Sequence, residues 1–438
     1  MQESQRRVVI TGMGVISPLG NSPDQLWDAL INRKSGVDYL KRIPSDHLPA
    51  KIGAEADSFT GSIDDFGELE KKLKRTIKKG LKLMCREIEM GVASAQLAIA
   101  DAGLTPEVYD PVRIGTMFGC DYIITEPAEF SLGVQNCLQE DEFDFERWGE
   151  NGIGKVEPLW LLKYLPNMPA SHVAIYNDLR GPSNSLTVRE ASANLAIAEA
   201  TTILRRGIAD YMVVGSTGSR IHPLRSVHVA LQEQLAACES NGSTKQPAQV
   251  CRPFEAGRQG MVMGEGAGAL VLEDYDNATK RGATILAEVV GYGSSTVADK
   301  NYVANYKQAT GNVIQSTLES SNLSKDQIGH VNAHGLSSIR CDLEEAQAIN
   351  ETLGQHVPVV AAKSNMGNLG AGGGMVELIA SVKALAANQL FATLNYESPD
   401  PECQINVVSE GSVSPGDTFI NLNTTPQGQA SSVAISRV

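Results

Sequence analysis

The strongest constraint on this chain is a pattern that returns. A short β-branched run, a Gly-rich break and a helix-like stretch occur in succession in both halves of its 438 residues. The first copy runs from Val8-Val9-Ile10 through Thr11-Gly12-Met13-Gly14-Val15-Ile16-Ser17-Pro18-Leu19-Gly20 into a helical pattern between Ser22 and Leu30. Residues 114–119, 211–215, 268–273, 286–291, 329–333 and 357–361 read as further short buried strands, with helical periodicity between most of them. Alternation of this kind predicts an α/β architecture, because apolar strands need helices on both faces of their sheet. Its return predicts a duplicated fold, divided at Arg281-Gly282 into halves 1–282 and 283–438.

Composition removes several function classes. Thirty-seven basic against fifty-one acidic side chains leave a formal charge of -14, so no net positive field exists to hold nucleic acid. No run approaches the roughly 18 unbroken apolar residues of a membrane span, which predicts no membrane insertion. Met1 to Arg7 is polar and charged and leads straight into a strand, a start unlike a secretory or transit peptide, and the cytoplasm is the expected location. The seven cysteines are odd in number, scattered, and never spaced C-x-x-C. They predict small buried hydrophobes rather than disulfides or a metal site. The opening G-x-G invites a dinucleotide reading, but the third glycine is misplaced and Pro18 stands where a phosphate-binding helix would begin.

Chemistry in an α/β sheet gathers at the carboxyl ends of strands, and three junctions there stand out. The first is Gly181-Pro182-Ser183-Asn184-Ser185-Leu186-Thr187-Val188-Arg189-Glu190-Ala191-Ser192, leading into an Ala-rich helix that ends at Arg205-Arg206-Gly207. Glu190 falls near that helix's N-terminus, where unpaired N–H groups favour a carboxylate. The second is Asn332-Ala333-His334-Gly335-Leu336-Ser337-Ser338, a His at a strand end beside Gly. The third is Lys363-Ser364-Asn365-Met366-Gly367-Asn368-Leu369-Gly370-Ala371-Gly372-Gly373-Gly374, whose glycines imply close backbone approach.

These junctions, with VVITGMGVISPLG at the start and CRPFEAGRQGMVMGEGAGALVLED just before Arg281-Gly282, resemble the elongating β-ketoacyl carrier-protein synthases of thiolase fold, in order and over nearly the whole chain. The resemblance implies a duplicated five-layered αβαβα architecture and a two-fold dimer, either a homodimer or a heterodimer with an active ketosynthase. It also implies an acyl carrier protein as partner, whose phosphopantetheine arm takes the place of any resident cofactor or metal. In such enzymes a Cys attacks the acyl thioester and two His stabilise the enolate of malonyl decarboxylation. The family's A-C-A-S falls here on Arg189-Glu190-Ala191-Ser192, its N-A-H-G on Asn332 to Gly335, and its K-S-x-x-G-H on Lys363 to Asn368. The three triad positions are thus Glu190, His334 and Asn368, with Lys363, Arg258 and Glu265 matching the surrounding scaffold. The C-terminal G-F-G-G-T-N gate is replaced by Thr425-Pro426-Gln427-Gly428-Gln429, which puts Gln427 at the gating position.

Such a combination resembles chain-length factors, the silent partners of active ketosynthases. The alternative reading is a malonyl-carrier decarboxylase working through His334 and Asn368. Two further roles stay open for Glu190: a general base in another thiolase-fold reaction, and a structural ion pair with Arg189 or Arg258. Cys120, in the Gly119-Cys120-Asp121 loop, is the one thiol near a family pocket segment.

Two surface segments complete the reading. Between Glu70 and Glu89, Leu73, Ile77, Leu81, Met84 and Ile88 recur at helical spacing, while Lys71, Lys72, Lys74, Arg75, Lys78, Lys79, Lys82 and Arg86 fill the other side. The expectation is one amphipathic helix whose basic face docks the acidic carrier or is simply solvated. Residues 140–167 form a long connection whose Trp148, Trp160, Leu161, Leu162 and Tyr164 suggest an interface or tunnel wall, with packing inside one subunit as the competing explanation.

Overall fold

The strands form because their sequences leave no polar face. Every position of Val8–Ile16, Ile114–Cys120, Tyr211–Ser219 and Met263–Asp274 is buried, so each must be covered on both sides. The computed structural model describes residues 6–240, 243–410 and 412–438, so five residues of the Met1 to Arg7 stretch lie outside the described residues. Ten core strands line up in it: β1 (Val8–Ile16), β2 (Ile114–Cys120), β3 (Ser183–Thr187), β4 (Tyr211–Ser219), β5 (Met263–Asp274), β6 (Ala287–Thr296), β7 (His330–Asn332), β8 (Pro358–Val360), β9 (Thr418–Thr424) and β10 (Gln429–Ser436).

Their order is β3-β2-β4-β5-β1-β6-β10-β9-β7-β8. Outward from the β1/β6 seam the two sides repeat in sense as well as in order. β5 and β10 lie antiparallel to β1 and β6, and β4 and β9 lie antiparallel to β5 and β10. β2 and β7 then run parallel to β4 and β9, and β3 and β8 parallel to β2 and β7. At the seam itself Val9 faces Glu288 and Ile10 faces Ala287 in antiparallel register.

Helices fill three layers around these strands. α1 (Pro23–Ile31) is capped by the Ser22 side chain and starts on Pro23. α2 (Lys71–Gly80), α3 (Arg86–Asp101) and α4 (Met168–Asn177) precede α5 (Ser192–Arg205), α6 (Tyr306–Ser321), α7 (Ile339–Leu353) and α8 (Gly373–Ala387). α3 and α4 cover the outer face of the first repeat, and α6 covers the second with α7 packed against it. α5 and α8 pack on one another between the repeats and touch strands of both. This gives the five-layered αβαβα arrangement, with the largest apolar cluster in the middle layer, including Ala196, Ile197, Ala200, Met375, Leu378 and Ile379. Residues 370–387 are long and apolar enough to cross a bilayer by length and composition, yet 83% of that window is buried in this layer.

Gly12 and Gly14 do not open a phosphate loop. Both lie inside β1, where an added Cβ would come within 2.4 Å of the Ala98 carbonyl oxygen and 2.1 Å of that of Ser94. They let α3 lie directly on the strand.

The expected single helix between Glu70 and Glu89 is corrected to two. α2 ends at Gly80, a 3-10 turn covers Leu81–Leu83, and Met84 and Cys85 are extended before α3 begins at Arg86. Ile77, Met84 and Ile88 are buried on both sides of the break, so apolar spacing is blind to it. Arg86 leaves the basic face altogether, with Nη2 2.7 Å from Glu265 Oε1 and further bonds to the Ala56 and Phe59 carbonyls.

Within 140–167 the packing is divided. Trp148 stacks on Phe130 and Trp160 meets it edge-on at 4.7 Å, and Tyr164 is buried. Leu159, Leu161 and Ile153 stay exposed.

Candidate functional site

The repeat brings corresponding junctions face to face. Glu190 lies between β3 and α5, and Asn368 lies between β8 and α8, the matching place in the second repeat. His334 follows β7 as Asp121 follows β2. All four side chains are buried.

The turn holding Glu190 is strained. Arg189 adopts φ +50, a left-handed conformation unusual for a side-chain-bearing residue. Its guanidinium is tied down by Gln232 Oε1 at 3.0 Å and Glu233 Oε1 at 2.8 Å. Ser192 closes the turn by accepting from the Val188 N–H at 2.9 Å and donating to the Cys120 carbonyl at 3.0 Å.

Glu190 is 1% exposed and enclosed by charge. Its Oε1 accepts from Arg220 Nη2 and from Asn368 Nδ2, the latter at 3.0 Å. Oε2 lies 3.5 Å from Arg189 Nε. Arg220, itself fully buried, places Nη1 3.3 Å from Asp121 Oδ2. Burial opposes ionisation of Glu190, but Arg220, Arg189 and the Asn368 amide overcome it and hold the carboxyl well below the usual range. Glu233 goes the other way: burial, then the Glu190 charge, raise it. Of the two structural partners expected for Glu190, Arg189 is present. Arg258 is not, being paired with Asp400 at 2.6 Å. Arg220 escaped the sequence reading, because it is a lone Arg after a strand end with its partner thirty positions upstream.

His334 lines a cavity of about 190 Å³ together with Gln232, Glu233, Tyr306, Thr424 and Thr425. Its loop is held by carboxyl groups of α7. Glu345 accepts from the His334 and Gly335 N–H groups at 2.6 and 2.9 Å, and Asp342 accepts from Leu336, Ser337 and Ser338. Burial, followed by the nearby Lys363 ammonium, pushes the imidazole well below its ordinary pKa and keeps it neutral. Lys363 is 1% exposed and lies with Nζ 2.5 Å from Glu377 Oε1.

Asn368 is fixed by backbone bonds to Val262 and Gly264. Its Oδ1 accepts from the Gly370 N–H at 3.1 Å, and Nδ2 reaches Met261 Sδ at 3.4 Å besides Glu190. The side chain is therefore spoken for on both ends.

Two expected site residues lie elsewhere. Gln427 is exposed at the β9–β10 turn, and Thr424, Thr425 and Pro426 line the His334 cavity in its place. Thr425-Pro426-Gln427-Gly428-Gln429 holds no Phe to mark the gate, so the motif alone does not fix which of these residues faces the cavity. Glu265 touches none of the three central residues. It is buried under Arg86 and Arg42 and accepts from the Ala56 N–H. Cys120 is fully buried, and burial with Glu87 and Asp121 nearby raises its thiol far above the ordinary value. That is the environment of a structural thiol and not of an activated one. Among the described residues all seven cysteines are free, and no cluster of His, Cys, Asp and Glu could hold a metal.

On α2, Lys71, Arg75 and Lys78 are exposed, as is Lys82 in the turn that follows. Lys74 is paired with Asp64 at 2.6 Å.

Residues 5–278 match the family described as Beta-ketoacyl synthase, N-terminal domain, and residues 286–397 the one described as Beta-ketoacyl synthase, C-terminal domain. The chain is 30% identical over 409 residues to the 3-oxoacyl-[acyl-carrier-protein] synthase 2 of Staphylococcus aureus (strain COL), covering 92% of this chain and 91% of the relative. A solved β-ketoacyl synthase from Burkholderia phymatum superposes with TM-score 0.83 at 27% identity, over 99% of this chain and 100% of that one. The ishigamide ketosynthase/chain length factor superposes with the same TM-score, 0.83, and the same coverages, 99% and 100%, at 22% identity, a likeness of fold.

Proposed function

The chain belongs to the β-ketoacyl synthase family, and from that premise we propose that it is a silent partner subunit of the chain-length-factor kind, paired with an active ketosynthase and visited by an acyl carrier protein. One observation carries the reading: the position that resembles the family's nucleophile holds a carboxylate locked in a buried ionic cluster with Arg220, Arg189 and Asn368. Acyl transfer from a thioester to a carboxylate gives a mixed anhydride, which is more reactive than the thioester it came from. Glu190 therefore offers no stable acyl-enzyme.

The decarboxylase alternative asks Asn368 to donate to a developing enolate beside His334. In this geometry the Asn368 N–H groups are directed at Glu190 and Met261, so the silent reading is favoured. The carrier, an acidic protein bearing a phosphopantetheine arm, docks on the exposed Lys71, Arg75, Lys78 and Lys82, with Lys74 behind them. Strand β3 is one edge of the sheet and is largely exposed. It is the surface proposed to meet the partner subunit, together with the exposed leucines of 140–167. The pathway is fatty acid or polyketide synthesis in the cytoplasm.

The test is to incubate the purified chain with malonyl-loaded carrier and follow the carrier's mass, beside His334→Ala. Unchanged malonyl carrier, with an active ketosynthase recovered on the tagged chain, is the expected result. Loss of CO₂ to give acetyl carrier, abolished in His334→Ala, would overturn it in favour of the decarboxylase.

A further inference from the structure

We propose that Arg220 is a positioning residue for the side chain at 190: it holds that side chain charged and turned toward the guanidinium that also binds Asp121, and so sets the chemical state of the whole junction. The inference rests on reading 190 as the family's nucleophile position, and it assigns a role to a residue outside every motif that carries the resemblance.

The argument is one of charge and enclosure. Three carboxylates, Glu190, Asp121 and Glu233, converge on two guanidinium groups, those of Arg189 and Arg220. Arg189 already spends its Nη groups on Gln232 and Glu233 and reaches Glu190 only at 3.5 Å. Arg220 is the cation in direct contact with Glu190, and it is also the one that reaches Asp121. It has no exposure, so its charge must be answered from within the fold. Its backbone is pinned as well: the Arg220 N–H donates to the Gly264 carbonyl at 2.8 Å and its carbonyl accepts from Ser226 Oγ at 3.1 Å. Gly370 passes beside the guanidinium, where an added Cβ would lie 3.3 Å from Arg220 Nε. The guanidinium therefore has one place to be, and the carboxylate at 190 is drawn to it.

The groups facing Glu190 are Arg220 after β4, Arg189 in its own turn, Asn368 after β8 and His334 after β7, with Asp121 and Glu233 behind the two arginines. Arg220 and Asp121 also act on Glu87, which burial raises to about 7 and which pairs with Arg225 at 2.9 Å, so only the part of the pH difference that Glu190→Gln removes is assigned to Glu190. Without Arg220 the cluster holds three carboxylates against one guanidinium. Burial would then raise Glu190 above its unfolded value, and stability would be present at low pH and lost as pH rises. With Arg220 in place the sign is reversed: the carboxyl is depressed, and its contribution is lost only as pH falls through the acid range.

The experiment measures the melting temperature of the intact chain as wild type, Arg220→Met, Glu190→Gln and the double variant, at pH 5.5 and pH 8. Arg220→Met is expected to lose more at pH 8 than at pH 5.5, and Glu190→Gln in that background to remove most of the difference and restore part of the loss. Arg220→Lys, which keeps the charge, should show the wild-type pH dependence. A loss in Arg220→Met that is the same at both pH values and untouched by Glu190→Gln would overturn the proposal, leaving Arg220 a packing residue. If Arg220→Met does not fold at pH 8, recovery at pH 5.5 or by Glu190→Gln supports the proposal, and failure of all these variants beside a normally folded Arg220→Lys overturns it. Evolution of acetyl carrier in the malonyl assay would end the partner reading without altering these melting temperatures, so the two failures are told apart.

Discussion

Lys363→Met removes one half of a buried ion pair at the edge of the site. Lys363 and Glu377 are both essentially unexposed, with Nζ 2.5 Å from Oε1. The other Glu377 oxygen accepts from Asn423 at 2.7 Å. Met keeps the length of the stem and loses the charge, leaving Glu377 as an uncompensated anion in the middle layer. Breaking such a pair from one side costs about 3–5 kcal/mol. Unfolding entropy of roughly 2.1 cal/mol/K per residue, taken over 438 residues, makes about 0.9 kcal/mol per degree, so one cooperative transition should move down by roughly 3–5 °C. Glu377→Gln in the same chain removes the stranded charge and still accepts from Asn423, so the double variant should regain most of the loss. The same substitution has a second consequence at His334, whose imidazole is held low first by burial and then by the Lys363 charge. Its pKa should rise in Lys363→Met, read from the imidazole resonances in a pH titration. Differential scanning calorimetry gives the first quantity. A shift below about 1 °C, or no recovery on adding Glu377→Gln, would refute the claim that the pair is a charge-balanced unit.

Three further outcomes are expected. Reversing charge on α2 with Lys71→Glu, Arg75→Glu and Lys78→Glu together should weaken carrier binding by at least about tenfold in low salt and by less in high salt, measured by calorimetry, because exposed charges act through a screened field; salt-independent loss would point to unfolding instead. Burial pushes Glu345 up to about 8, above its unfolded value, so the urea midpoint should be highest on the acid side and decline as pH rises toward 8, with Glu345→Gln flattening the slope. Iodoacetamide on the native chain at neutral pH should leave Cys120 unmodified while labelling Cys238, which is partly accessible; peptide mapping that found Cys120 labelled before unfolding would restore it as a candidate nucleophile.

Much of this arrangement was legible because it depends on local pattern. The apolar strands and the glycines between them predict the duplicated layers, and the three junctions that the residues singled out do bring Glu190, His334 and Asn368 into one buried region. What was not legible depends on groups far apart in sequence. Arg220 sits in an ordinary strand end and becomes important only because Glu190 and Asp121 arrive beside it from two other strands. The break between α2 and α3 is set by Arg86 turning inward to Glu265, 179 residues away, while the apolar spacing continues across it unchanged. Gln427 failed for a simpler reason: a turn of unfamiliar sequence gives no landmark from which to count, and an error of two positions moves a side chain from the cavity wall to solvent.

The seam between β1 and β6 makes the junction of the two repeats a poor place to divide the chain. The ladder across that seam has two register pairs, with the Arg7–Glu288 ion pair beside it, yet α5 rests on β10 of the second repeat and α8 on β4 and β5 of the first, so each repeat keeps its innermost helix against the other's strands. Severing the peptide bond at the Arg281-Gly282 turn would therefore cut a thread, not a joint. Two half-chains produced separately should be insoluble alone, each with an apolar helix face uncovered, and should clasp into one particle when refolded together.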